Sequence, residues 1–137
     1  MHEPTLQAAY EQAIYEVYSG VEEIRVRIGQ CCPQLDTLTI QKGVNSWALV
    51  TAYNPHSQCL SASENQQRHQ QLIEYLQELK LSYLPAVGKD AKGIWTPEVS
   101  LCIFDLELEQ AIAIGQKFSQ NAIVYGELNE PVELVWL

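Results

Sequence analysis

The order of apolar and polar residues along the chain predicts a β-sheet with both central and half-buried strands. Residues Glu23 to Ile28 alternate strictly between charged and branched apolar side chains, which is the period of a half-buried strand. Ser46 to Tyr53 and Val99 to Phe104 are apolar on both faces, so we predict them as central strands. Shorter runs predict further strands at residues 14–18, 82–87, 122–125 and 132–136, with the last two paired as a hairpin.

Two longer segments have helical periodicity instead. Leucines recur at helical spacing from near Ser63 to about Lys80. A second helix follows Asp105, which we predict as its N-cap. Its glycine should allow a close approach to the sheet, and its predicted buried stripe comprises Leu108, Ala111, Ile112, Gly115 and Phe118. Shorter helices are predicted at residues 5–11 and 33–41.

The order of these elements predicts an α+β fold. We expect a mixed, mostly antiparallel sheet that is covered by the two main helices. The β-α-β-β-α-β order from Ser46 to Tyr125 is that of a split βαβ, ferredoxin-like core, with the N-terminal hairpin as an addition. A chain of 137 residues is long enough to bury one core, so residues 1–137 are predicted to form a single domain.

Charge and composition narrow the classes of partner. The net charge is −9, with 17 acidic and 8 basic residues, and such a surface repels phosphate backbones, so we predict no nucleic-acid partner. No apolar run approaches the roughly 18 residues of a membrane span, so no membrane association is predicted. The first residues lack a basic segment followed by an apolar one, so a cytoplasmic protein is expected. The sequence leaves the oligomeric state open.

The cysteine and histidine positions do not predict a metal. In a cytoplasmic chain, the four cysteines are expected to be reduced thiols. His56 and Cys59 form one imperfect ligand pair, whereas zinc sites usually use two tight pairs. We therefore predict neither a metal nor a cofactor. The chain also lacks the sequence motifs GxSxG, GxGxxG and HExxH and the P-loop, so the patterns leave open whether it is an enzyme.

The start of the long helix carries polar residues where its apolar stripe should continue. Asn65, Arg68 and His69 lie within roughly 80° of Leu76 on the helix wheel, so an amide, a guanidinium and an imidazole face the body of the protein. The segment from Thr51 to Ser57 leaves a central strand just before this helix. Ends of strands beside a helix N-terminus are common ligand sites. The pattern therefore indicates either a site or a polar network that holds a loop.

Two side chains in this region allow both a functional and a structural interpretation. Pro55 pushes the backbone of Asn54 toward an extended conformation. The Asn54 side chain either holds a ligand with its amide or forms an Asx turn at the exit of the strand. Arg68 either clamps an anion or pairs with Glu98 or Glu64, and we favour the pair with Glu98 by a narrow margin. In either case, we expect the loop from Asn54 to Ser57 to border any pocket.

Glu98 itself is either a general base with a raised pKa or an ion-pair partner of Arg68, which would lower the pKa. Trp95 either stacks on a ring-shaped ligand or anchors a loop, and Gln120 follows the second helix, where amides often cap carbonyls. The candidate ligand-binding residues share this polar character and comprise Asn54, Ser57, Asn65, Arg68, Trp95, Glu98, Ser100 and Gln120.

Four short segments together resemble a bacterial and phage family known as domain of unknown function 3293. They are Thr51-Ala-Tyr-Asn-Pro-x-Ser57, Glu64-Asn-x-x-Arg68, Trp95-x-x-Glu-x-Ser100 and Phe118-x-Gln-x-Ala122. The resemblance extends from about Ala9 to the C-terminus. It implies that these segments form one unit, but it implies no activity, because the family has no established one.

Three functions are compatible with these patterns. The preferred hypothesis is a non-catalytic binding module for a small anionic or nucleotide-like ligand. The second is an enzyme in which Glu98 acts as acid or base and Arg68 clamps an anion. The third is an acidic domain that binds a basic protein partner.

Overall fold

The computed structural model describes residues 4–93 and 95–137, except for the side chains of residues 4 and 5. The helices are α1 (Pro4–Gln12), α2 (Pro33–Gln41), α3 (Ala62–Glu78) and α4 (Leu108–Lys117), with a short 3₁₀ helix at Pro55–Ser57. The strands are β1 (Ile14–Tyr18), β2 (Glu23–Arg27), β3 (Ser46–Val50), β4 (Tyr83–Lys89), β5 (Glu98–Phe104), β6 (Ala122–Glu127) and β7 (Glu133–Trp136). Within these ranges, no helix has the length and apolar character needed to span a bilayer.

The strands form one sheet in the order β2-β1-β4-β5-β3-β6-β7, and the α+β class predicted from the sequence is confirmed. All neighbouring strands of this described sheet run antiparallel, so it has no parallel pair. The middle order β4-β5-β3-β6 is that of a split βαβ, ferredoxin-like core. The β1–β2 hairpin extends this core beside β4, and β7 extends it beside β6.

The sheet is covered on both faces, and each face has its own apolar core. On one face, α3 and α4 pack against the sheet through residues that include Leu72, Leu76, Ala111, Ile114, Val50 and Ile103. On the other face, α2 contributes Leu35 to a core that includes Val17, Trp47, Cys102, Phe104 and Val124. Because β3 and β5 lie in the middle of the sheet, the side chains of β3 and of residues 100–104 of β5 are buried on both faces, whereas Val99 is exposed.

Helix α4 begins later than its sequence indicates. The predicted N-cap, Asp105, lies in a turn with a left-handed φ of 66°, and the cap is instead Glu107. The backbone N–H of Glu107 donates to the side chain of Gln110 at 2.9 Å. This later start leaves Leu108 exposed, and Ile114 joins the buried stripe in its place. The prediction for Asp105 and Leu108 is therefore wrong.

Two glycines allow close packing against the sheet. A Cβ on Gly115 of α4 would lie 2.7 Å from the Ile123 Cγ2 atom, which confirms the predicted close approach. A Cβ on Gly126 of β6 would lie only 2.2 Å from the indole ring of Trp47. The two residues are cross-strand neighbours, and Trp47 is 1% exposed, so its ring has no room to move away.

Replacing Gly126 with alanine should destabilise the fold by about 1–3 kcal/mol, because the added methyl group overlaps a buried ring. Urea unfolding measures this change. In a double-mutant cycle with Trp47→Leu, the cost of Gly126→Ala should become much smaller, because the shorter side chain no longer fills the space. An equal cost in both backgrounds would contradict this explanation.

Candidate functional site

Hydrogen bonds from two side chains hold the exit of β3 against the end of α4. Arg68, on α3, donates through Nε to the carbonyl oxygen of Ala52 at 2.6 Å and through Nη2 to that of Phe118. Gln120 donates through Nε2 to the carbonyl oxygens of Tyr53 at 3.0 Å and Phe118 at 3.2 Å. Phe118 ends α4, where free carbonyls concentrate negative potential, so a guanidinium there is favourable. These bonds fix the position at which the chain leaves the sheet.

Three further hydrogen bonds attach the next residues of the same loop. The His56 backbone N–H donates to the carbonyl oxygen of Ser119 at 2.7 Å. Asn121 donates through Nδ2 to the Ser57 hydroxyl at 2.8 Å, and the hydroxyl of Tyr10 lies 2.8 Å from the same oxygen. Tyr10 belongs to α1, so this loop also connects the N-terminal helix to the end of α4.

Two asparagines link the loop to the start of α3. The backbone N–H of Asn54 donates to Asn65 Oδ1 at 2.9 Å, and Asn65 Nδ2 donates back to Asn54 Oδ1 at 2.8 Å. Asn54 Oδ1 also accepts from the backbone N–H of Leu60 at 3.0 Å. Asn65 is 5% exposed, and another amide of the chain satisfies its buried side chain.

The backbone of this loop is strained at three residues that are not glycine. Asn54, His56 and Ser57 have φ values of 47°, 52° and 61°, all in the left-handed region. The extended conformation that Pro55 predicts for Asn54 is therefore wrong, because the paired asparagine bonds hold the backbone in another region. Each such residue costs on the order of 1–3 kcal/mol and persists only where surrounding contacts enforce it.

Glu98 lies at the start of β5 and has an amide as its partner. Asn54 donates through Nδ2 to Glu98 Oε2 at 2.8 Å. Burial raises the pKa of Glu98 above its ordinary value, and the bond from Asn54 offsets only part of that increase. The predicted ion pair with Arg68 is not formed, because the guanidinium is bound to carbonyls. The alternative partner Glu64 instead bonds Ser61 in the capping box of α3.

A tyrosine shares the same row of the sheet as Glu98. Gly88 pairs with Tyr15 on one side and with Glu98 on the other, so the three residues face the same way. A Cβ on Gly88 would lie 3.2 Å from Tyr15 Cε1, which shows that the ring lies over the glycine. Burial raises the pKa of Tyr15, and the nearby Tyr10 and Glu98 raise it further. The row therefore places two weak acids on either side of Gly88, on the same face of the sheet.

These groups surround a cavity of about 720 Å³. It lies on the same face of the sheet as the side chain of Cys102. Glu98, Ser100 and Cys102 are every second residue of β5, so their side chains point to the same side. Helix α1, the start of α3 and the segment 95–97 contribute the other walls, with a lining that includes Leu6, Tyr10, Tyr15, Thr51, Asn54, Ser57, Asn65, Trp95, Glu98, Ser100, Gln120 and Leu134. The volume is within the range of about 300–1,000 Å³ of small-molecule sites.

The structure brings seven of the eight candidate residues to the lining of this cavity, with Arg68 the exception. Sequence reasoning missed Tyr10, Tyr15 and Gly88. For Tyr15, the alternation along β1 predicts that its side chain lies on the same buried face as Val17. Its approach to Glu98 depends on the register of β1 against β4, which no local pattern encodes.

Comparison with known proteins yields one family match. The model of a family described as protein of unknown function (DUF3293) matches residues 50–123, more than half of the chain. All four segments of the sequence resemblance fall in this range, which begins at the exit of β3 and ends in β6. Searches of curated proteins and of solved structures gave no significant match.

Replacing Arg68 with alanine should lower the free energy of unfolding by about 2 kcal/mol, because the Ala52 carbonyl loses its side-chain donor and the Phe118 carbonyl keeps only that of Gln120. Arg68→Lys should recover only part of the loss. The lysine ammonium group can donate a hydrogen bond, but it lacks the planar fork that reaches both oxygens. The matched control is Arg25→Ala on the exposed face of β2, which should change stability by less than about 0.5 kcal/mol. Urea unfolding measures the stability of the three variants. Equal losses of stability in all three would contradict the role of Arg68.

Replacing Glu98 with glutamine should stabilise the protein more at neutral than at acidic pH. A folded-state pKa above the unfolded value means that wild-type stability falls as pH rises through the folded pKa, whereas glutamine does not titrate. The difference in unfolding free energy between Glu98→Gln and wild type should therefore grow in favour of the variant from about pH 4 to about pH 7. A difference that is constant across this range would show that burial does not penalise the charge.

Proposed function

The chain belongs to the DUF3293 family, and we propose that its cavity binds a small organic ligand without transforming it. The observation that carries this proposal is the convergence of polar side chains on one cavity of about 720 Å³, from the loop after β3, the start of α3, β5 and the segment after α4. Hydrogen bonds within the chain hold these side chains in place before any ligand arrives. Such preorganisation is typical of binding sites, because it reduces the cost of ordering them on association.

The surroundings of the cavity argue against the anionic ligand that Arg68 suggested. No lysine, arginine or histidine is among the described lining residues, and the Arg68 donors are bound to backbone carbonyls. The N-terminus of α3 is capped by Ser61 and the carboxylate of Glu64, so its N–H groups are partly satisfied. We therefore propose a neutral or donor-bearing ligand whose apolar part contacts the aromatic wall of the cavity, which is formed by Tyr10, Tyr15 and Trp95.

A second candidate function is acid–base catalysis by Glu98. It is supported by the raised pKa of Glu98 and by its position in a cavity of suitable size, a combination that is common in active sites. The two functions separate once a bound compound is known. Chemical conversion of that compound by the wild type but not by Glu98→Gln, with binding retained in both, would favour the enzyme.

Filling the cavity should abolish binding while preserving the fold. Ala122 lies on β6 and lines the cavity, so Ala122→Phe places a ring in the space. We expect ligand-detected NMR screening of small ring-containing fragments to find compounds that bind wild type and lose about tenfold or more in affinity for Ala122→Phe. The control is Ala113→Phe on the exposed side of α4, which should bind these fragments as wild type does.

A circular dichroism melt of each variant checks that it is folded. Equal binding to wild type and to a folded Ala122→Phe variant would place the fragments outside the cavity. That result, or a screen with no binding fragment, would overturn the proposal.

A further inference from the structure

The cavity contains an acidic group that has no cationic partner among the described lining residues. Glu98 is the only charged side chain among the described lining residues. The ion pair that the described residues do form joins Lys89 to Glu16 on β4 and β1, away from Glu98. The partner of Glu98 is the neutral amide of Asn54, so the chain orients the carboxylate without neutralising it. A cation from outside the chain would stabilise the charged form of such a group.

Two acceptor oxygens of the cavity lining are also open to a ligand. The hydroxyls of Thr51 and Ser100 already donate to the carbonyl oxygens of Val99 and Glu98. The Gln120 amide nitrogen is bound to two carbonyls, so its remaining group is the acceptor Oε1. In the described part of the chain, neither this oxygen nor Glu98 Oε1 has a hydrogen-bond partner. A ligand that satisfies both oxygens must therefore carry N–H or O–H donors.

The walls beside Glu98 are aromatic. The Tyr15 ring lies over Gly88 next to the carboxylate, and Tyr10 and Trp95 contribute further lining. The faces of such rings attract cations, most strongly where water is excluded. They also stack on flat apolar groups. The net charge of −9 adds a long-range attraction for positively charged molecules.

We infer, on the basis of the function proposed above, that the cavity selects a small aromatic cation with N–H donors, such as an amidinium or a protonated amine. Glu98 is its counter-ion, Gln120 Oε1 accepts a second N–H, and the aromatic wall contacts its ring. This ligand class compensates the charge, satisfies the open acceptors and fits the walls. An anion would neither compensate the charge of Glu98 nor donate hydrogen bonds to the open acceptors.

Three probes of nearly the same shape test the inference on the full chain: benzamidine is a cation, benzamide is neutral and benzoate is an anion. We expect isothermal titration at neutral pH to give benzamidine an affinity about tenfold or more above that of benzamide. Benzoate should bind more weakly than both, because its charge has the same sign as that of Glu98.

Two variants locate the effect. Glu98→Gln keeps the shape of the side chain and can keep the bond from Asn54, so it should lower the benzamidine affinity about tenfold without lowering that of benzamide. Glu74→Gln removes the same charge from an exposed position on α3 and should leave all three affinities unchanged. Sensitivity to Glu74→Gln equal to that of Glu98→Gln would indicate attraction to the whole surface and overturn the inference.

The inference and the proposed function can fail separately. If benzamide or benzoate binds wild type as tightly as benzamidine and is lost in Ala122→Phe, the selection for cations is wrong but the cavity is still a binding site. If none of the three probes binds, the inference is overturned, and the fragment screen decides the proposed function independently.

Discussion

The fork of hydrogen bonds from Arg68 is the constraint on which the site depends. One guanidinium donates to the carbonyl of Ala52, two residues after the end of β3, and to that of Phe118, where α4 ends. Because a carbonyl that loses its donor is costly, Arg68 holds these two segments together, and Gln120 supports it with its own bonds to Tyr53 and Phe118. The loop that begins at Ala52 can then adopt three left-handed residues, and Asn54 can reach Glu98. Arg68 thus shapes the cavity without lining it.

The polar core of the site is arranged around amides. The reciprocal pair of Asn54 and Asn65 uses donors and acceptors on both sides, so neither needs a charge to be stable in a buried position. The same Asn54 then uses its Nδ2 group to orient Glu98. A carboxylate that is held by a neutral amide has no counter-ion, whereas an arginine partner would have compensated its charge.

Periodicity in the sequence was sufficient for the central strands and for α3, because their apolar residues repeat over many positions. The polar start of the α3 stripe also led to the correct neighbourhood, since Asn65 and Glu98 line one cavity. It did not identify the partners. Whether Arg68 pairs with Glu98 depends on which acceptors the guanidinium contacts, and those are backbone atoms that no residue pattern reports. The contact between Tyr15 and Gly88 likewise depends on strand register.

The free edge of the sheet at β2 has a consequence for aggregation. An edge strand presents unpaired N–H and C=O groups that can pair with a strand of another molecule. On β2, the buried residues Ile24 and Val26 alternate with Glu23, Arg25 and Arg27. Extending the sheet across this edge would bring those charged side chains next to the incoming strand and strip water from them. The alternation that buries one face of β2 therefore also disfavours growth of the sheet into a fibril.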